Sequence, residues 1–481
     1  MENSLNKLDA TEMAVRVAKK EISPVELIQS HLDQIDQVNP SLNSIVTLAG
    51  DVIDQAKEAE KALYKSGSKI GPLHGVPYTI KDSIDVSGYR TSSGSLLTSK
   101  SLAKKNAPVA ERLKTAGGIL LGKTNTPEFT LWWETDNRVF GRTNNPWDLT
   151  RTPGGSSGGE AAAIAALLSP MGIGSDSGGS IRVPASYCGI FGLKPTHGRV
   201  PITGHVPYTL TEHTHIGPMA RSTKDIALAL NIIEGPDYSD HYAVNMPSTN
   251  TKRLDHSISS LNVAWYTDGP FQPISESVKS VVGNAINMFK DMKCNVEEAN
   301  LDFLSSLDSM GTSGKIASVE GGRDLGPLFE GKEDLLGVSM QSRLSLPKPS
   351  HEEYLQALLN RQKIRQGFMD FFKDVDILIC PTSPVSAPKH NQLKKDLLLD
   401  VDGILTPGRT ALMSTMVYDL TGSPAISVPF GIDKNGMPIG VQIVGRHFEE
   451  QTVLNAAYKL ELLSDLRENV YGDHKPTQKN K

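Results

Sequence analysis

Two glycine–serine loops lie within one short stretch of this chain. Thr150–Ala185 reads TRTPGGSSGGEAAAIAALLSPMGIGSDSGGSIRVPA, with GGSSGG at 154–159, DSGGS at 176–180 and a short alanine-rich run between them. Glycines beside a serine let backbone N–H groups approach a ligand with no Cβ in the way. Two such loops close together point to serine chemistry with a prepared anion site. A flexible Gly/Ser linker has the same composition, so the surrounding chain must decide.

Around this stretch the hydrophobic period alternates. Residues 9–37 read as helix punctuated at Ser23-Pro24, with Met13, Val15, Val17, Ala18, Val25, Leu27, Ile28, Leu32 and Ile35 at roughly helical spacing. Residues 51–65 form a second helix. In the strand VPYTIKD (76–82), Val76, Tyr78 and Ile80 share one face while Pro77, Thr79 and Lys81 share the other. A helix at 107–116 and a buried strand at 118–122 follow, then a helix at 223–233 and a β-α-β unit over 261–299. A helix at 351–373 leads into the strand 375–381. Asn435-Gly436 turns a hairpin between 425–432 and 438–445. A last helix runs to about Leu466, and residues 303–350 have little periodicity. This alternation predicts an α/β protein. With no repeat and no long linker, residues 1–470 read as one domain before a polar tail at 471–481.

Composition narrows the function. A net charge of −5 over 481 residues gives no footprint for nucleic acid or an anionic membrane. Cys188, Cys294 and Cys380 are too few and too scattered for a disulfide framework or a zinc pattern. No apolar run is long enough to span a membrane, and the N-terminus lacks a signal-peptide pattern. The expected location is cytoplasmic.

Three motif matches fail on context. Gly117–Thr124 satisfies the phosphate-loop pattern, but its variable positions are themselves a strand and Pro127 interrupts any following helix. Gly154-Gly-Ser156-Ser-Gly158 satisfies the nucleophile elbow, yet NNPWDLTRTP before it is no hydrophobic strand. Ser156 therefore stands only as the alternative nucleophile. His213 and His215 lack a third ligand at useful spacing and read as solvent or packing residues.

GGSSGGEAAAIAA, GSDSGGSIRVPASYCGIFGLKPTHGRVP and the upstream HGVPYTIKDSIDV together resemble the amidase signature family of serine hydrolases. The similarity also takes in GKTNTPEF (122–129), NRVFGRTNNPWD (137–148), ILICPTSP (377–384) and LTGSPAISVPFG…PIGVQIVG (420–445), and so runs from about residue 8 to 465. WETDNRVFGRTNNPWDL is most like bacterial amidases and fatty acid amide hydrolases. The resemblance implies a large twisted mixed sheet flanked by helices on both faces. It also implies a Ser-Ser-Lys triad: Lys81 as base, Ser156 as bridging serine after a cis Gly155–Ser156 peptide, and Ser180 as nucleophile.

Each implied role has a chemical reason. A serine hydroxyl is a weak nucleophile until a base takes its proton. A free lysine titrates near about 10.4, so Lys81 needs burial, without a charge partner, to be neutral. Ser156 would relay protons from Ser180 to Lys81 and later to the leaving amine, a variant of triad logic. The N–H groups of Ser177, Gly178, Gly179 and Ser180 are the oxyanion-hole candidates. Ser157, Asp176 and Arg182 are expected to fix the loops. Trp132 and Trp133 fall where related enzymes line the acyl-side pocket, though tryptophans serve equally as core.

The expected function is hydrolysis of a carboxamide through an acyl-enzyme on Ser180. The alternative is the glutaminase component of a tRNA-dependent amidotransferase, its A subunit. Against it, TEHTHIGP (211–218) stands where that component carries a serine-leucine-aspartate-glutamine stretch. No cofactor and no metal are implied. The expected partner is a small-molecule amide, with no nucleic acid and no membrane, and a homodimer is admitted. Loops at 236–350 and 390–415 are expected to set the pocket.

Overall fold

A computed structural model describes residues 5–65, 69–304, 306–390 and 398–463. The end of the last helix near Leu466 and the polar tail at 471–481 lie outside the described residues. The strands are β1 (Ile45–Leu48), β2 (Pro77–Lys81), β3 (Ile119–Thr124), β4 (Met171–Asp176), β5 (Phe191–Lys194), β6 (His215–Ala220) and β7 (Asn262–Trp265). They continue with β8 (Asn295–Glu298), β9 (Ile377–Pro381), β10 (Leu398–Val401), β11 (Ile404–Pro407), β12 (Ala425–Ile432) and β13 (Pro438–Gly445). Among the described residues, eleven strands form one sheet in the order β1-β3-β2-β4-β6-β5-β12-β13-β9-β7-β8, while β10 and β11 make a separate hairpin. The sheet is mixed. β2 runs parallel to β3 and β4, whereas β6, β5, β12, β13 and β9 pair antiparallel in succession.

Helices cover both faces. Gly158–Ala165 and Arg182–Cys188 pack on the face that holds Ala161, Ile164, Ile181, Ala185 and Met219. Thr223–Ile233 and Glu450–Leu463 lie over the other, where Ile226, Leu230, Leu454 and Ala457 meet Ile173, Ile216 and Leu193. The α/β class and the mixed sheet expected from the sequence are therefore present.

Local chemistry explains most of the elements. Ser23 forms a capping box with Glu26, which divides the N-terminal helical region into Ala10–Ala18 and Pro24–Leu42. The strand expected at 118–122 continues through Lys123 and Thr124, so Lys123 is a strand residue rather than a helix opener. The hairpin through Asn435-Gly436 and the parallel β7–β8 pair are formed. Residues 303–350 contain a helix at Ser309–Phe329 whose five glycines and Pro327 erase the hydrophobic period.

In β4, too, glycines thin out the strand signature. Its sequence, MGIGSD, sets Met171 and Ile173 in the main core and leaves Gly172 and Gly174 on the side where the helix Gly158–Ala165 lies directly on it. A Cβ at Gly172 would sit 1.8 Å from Glu160 Oε1, and one at Gly174 would sit 2.8 Å from Ser157 Oγ. Only glycine admits that approach.

Candidate active site

The alternation of β2 places Tyr78 and Ile80 in the main core and turns Thr79 and Lys81 to the opposite face. Lys81 is wholly buried. Its Nζ lies 2.6 Å from Ser156 Oγ, 2.9 Å from Ser175 Oγ and 3.4 Å from Ser175 O. Burial lowers its pKa to about 7, while the charges of Asp176 and Glu160 act in the opposite direction. Lys81 forms no ion pair among the described residues; the two carboxyl groups act on it without pairing, and desolvation outweighs both.

Ser156 and Ser180 belong to loops that open helices on the same side of the sheet. GGSSGG leads into Gly158–Ala165, and the Gly155–Ser156 peptide is cis. DSGGS leaves the end of β4 and enters Arg182–Cys188. Ser157 joins the two loops: its N–H donates to Ser180 O at 3.1 Å. Its hydroxyl donates to Ser175 O and accepts from Ser175 N–H, each at 3.2 Å. Ser180 keeps 9% of its surface open, and its hydroxyl makes no hydrogen bond among the described residues. The Ser156 and Ser180 hydroxyls do not bond directly to each other.

Asp176 and Arg182 hold the second loop. Arg182 Nε donates to Asp176 Oδ2 at 3.0 Å and Nη2 donates to Oδ1 at 3.1 Å. The guanidinium also donates to Asp419 Oδ2 at 2.6 Å, Gln442 Oε1 at 2.8 Å and Thr415 O at 3.0 Å. Burial works against the Asp176 charge, but the Arg182 guanidinium beside it holds the carboxyl well below the usual range. Asp419 moves the other way, raised by burial and by Asp176. His215 Nδ1 is 3.2 Å from Asp176 O, which makes this histidine part of the loop's support. His213 is also buried, 3.4 Å from Arg361 Nη1.

The four oxyanion candidates separate into two kinds. The Gly178 and Gly179 N–H groups donate to Asp176 Oδ1, at 3.2 Å for Gly178. That carboxylate competes with any incoming oxyanion for both donors. The N–H groups of Ser177 and Ser180 have no partner among the described residues.

Trp132 and Trp133 lie beside these loops. A Cβ on Gly155 would meet the Trp133 backbone carbonyl carbon at 2.8 Å. Trp133 is buried with Leu399, Val401 and Ala411, against Trp132, Val385 and Leu412. Leu412 and Met416 in turn cover Gly178 and Gly179. The β10–β11 hairpin thus closes an apolar cluster next to both serine loops.

Several residues of the site have no sequence signature. Ser175 immediately precedes DSGGS, and its role follows only once β4 is seen to run beside β2. Glu160, in the first turn of its helix, reads as an ordinary N-terminal acid. It is instead buried, accepting from Thr79 Oγ1 and from Thr124 Oγ1 (2.7 Å), and burial raises its pKa to about 7. His205, Thr415, Asp419 and Gln442 come from distant segments and carry no local signal. Among the described residues, no three His, Cys, Asp or Glu side chains are grouped to hold a metal ion. No helix among them is long and apolar enough to cross a membrane.

A family model described as Amidase matches residues 26–454. The chain is 34% identical to the A subunit of the glutamyl-tRNA(Gln) amidotransferase from Caldanaerobacter subterraneus subsp. tengcongensis, over 95% of this chain and 96% of that protein. It is 33% identical to an acylamidase of Rhodococcus erythropolis, over 96% of each. A solved structure of a 6-aminohexanoate cyclic dimer hydrolase with its substrate superposes at a TM-score of 0.85. That structure shares 29% identity and covers 98% of this chain and 99% of its own.

Proposed function

The chain belongs to the amidase family, and from that premise we propose that it hydrolyses a carboxamide through an acyl-enzyme on Ser180, with Ser156 as proton relay and Lys81 as base. The observation that carries this reading is the contact of 2.6 Å between the buried Lys81 Nζ and Ser156 Oγ. A lysine with a pKa of about 7 is neutral in a large fraction of molecules at neutral pH and can accept a proton.

In the proposed reaction, Ser180 Oγ forms a bond to the amide carbon as its proton passes to Ser156 Oγ. The Ser156 proton passes to Lys81 Nζ in the same step. The oxyanion takes the N–H groups of Ser177 and Ser180, the two without a competing acceptor. On collapse the C–N bond breaks. Ser156 protonates the departing nitrogen and regains a proton from Lys81, leaving an ester on Ser180. Water then repeats the cycle and releases the carboxylate.

The cluster of Trp132, Trp133, Leu399, Val401, Leu412 and Met416 supports an uncharged, largely apolar acyl group, in keeping with the acylamidase relative. A second reading, the glutaminase component of a tRNA-dependent amidotransferase, is favoured by the 34% identity to such a component. Purified protein assayed alone against amides of graded acyl length and leaving amine separates them. Turnover of apolar acyl amides without a partner supports the first reading. Glutaminase activity that appears only in a co-purifying complex supports the second.

A further inference from the structure

We propose that His205 is a positioning residue that aims the Lys81 lone pair at Ser156, acting through the Ser175 hydroxyl. The inference rests on the reading of Lys81 as base. His205 is buried, with Nδ1 3.0 Å from Pro207 O and Nε2 2.9 Å from Ser175 Oγ.

A carbonyl oxygen only accepts, so Nδ1 carries the ring proton and Nε2 is left as an acceptor. The nearer hydroxyl, Ser175, fills it, while Ser83 Oγ stands farther off at 3.3 Å. With its proton committed to His205, Ser175 Oγ meets Lys81 Nζ only as an acceptor, at 2.9 Å. A neutral amine has two N–H donors and one lone pair. The two donors go to Ser175 Oγ and Ser175 O, and the lone pair is left facing Ser156 Oγ.

The charge state of His205 fits this assignment. Burial, with the Lys81 charge adding to it, lowers the imidazole to about 4, so it is neutral where Lys81 is neutral. The other ionisable groups acting on Lys81 are Asp176 at the end of β4 and Glu160 on the helix Gly158–Ala165. Neither side chain bonds to the Ser175 hydroxyl. Without His205 that hydroxyl is free to turn and donate to the lysine lone pair, in competition with Ser156. The alternative bond stabilises neutral lysine in an unproductive orientation.

The test is kcat and KM against pH for His205→Leu, His205→Gln, Ser175→Ala and the double variant. In His205→Leu we expect kcat to fall about tenfold or more, within the range that misorienting a reacting group costs. KM should stay near the wild-type value, and the acid limb of kcat/KM should move to lower pH. His205→Gln, whose Oε1 can accept from Ser175, should recover most of kcat. In the Ser175→Ala background His205→Leu should add no further loss, because the effect passes through the missing hydroxyl. The inference is overturned if the two substitutions add, if kcat is unchanged, or if the acid limb moves up toward free lysine as in a loosened site. Full activity in Lys81→Met instead removes the base assignment itself, a separate result.

Discussion

Lys81 Nζ and Ser156 Oγ lie 2.6 Å apart although the residues are 75 positions apart in the chain. Both residues are buried, at 0% and 1% exposure. In water an ammonium group would gain little from a hydroxyl at that distance. Here burial takes away the hydration that favours the charged form, so the lysine is charged and neutral on nearly even terms at neutral pH.

That balance sets the pH dependence of activity. In the proposed reaction neutral Lys81 is the competent form, so kcat/KM should rise with pH through about 7 and level off above it. Lys81→Ala should lose about 10²- to 10⁴-fold at neutral pH, the usual weight of a positioned base. A flat profile from about pH 6 to 9, the range where free lysine stays charged, would place the base elsewhere.

The two serines are separable by a covalent probe. A serine-directed fluorophosphonate should label the wild-type protein and fail on Ser180→Ala. Ser156→Ala should keep the reactive position while labelling slowly. Labelling that survives in Ser180→Ala and vanishes in Ser156→Ala reverses the assignment.

Arg182 makes the loop between β4 and its helix a single unit. Arg182→Leu leaves Asp176 and Asp419 buried without their shared cation. Breaking such a buried pair costs about 3–5 kcal/mol, so the urea midpoint should fall well below wild type. An unchanged midpoint would show that the carboxyl groups find other partners.

The buried lysine also ties stability to pH. Between about 7, its folded value, and about 10.4, its unfolded value, only the unfolded chain holds the proton. Stability from this group therefore rises with pH across that window and is flat below it. Lys123, lowered to about 8, and Lys194, lowered to about 7, contribute in the same direction. Lys81→Met should reduce the slope of unfolding free energy by about 1.4 kcal/mol per pH unit in that window. Equal slopes in the two proteins would mean that Lys81 is not neutral when folded.

The elements legible in the sequence are those whose signal is local. Ser23-Pro24 marks a helix start through side-chain capping, and Asn435-Gly436 marks a hairpin through its backbone preference. The period-2 pattern of β2 puts Thr79 and Lys81 on one face, which is where they lie. The two serine loops are legible as well, but only because the flanking motifs resemble a family, since a Gly/Ser linker has the same composition. By contrast, β4 and the helix Ser309–Phe329 carry glycines within the element, and those glycines thin out the side-chain pattern that identifies it.

By itself, then, the sequence determined the class of fold, the family and the side chains proposed for the chemistry. The tertiary structure decided what those side chains are. A lysine next to an aspartate is ordinarily a solvated cation, and nothing within Tyr78–Asp82 says otherwise. Lys81 loses its hydration only because β4, the helix Gly158–Ala165 and the Ser175–His205 pair close around it. Desolvation and hydrogen-bond direction are properties of the assembled surroundings, and they are set by residues the chain brings from far away.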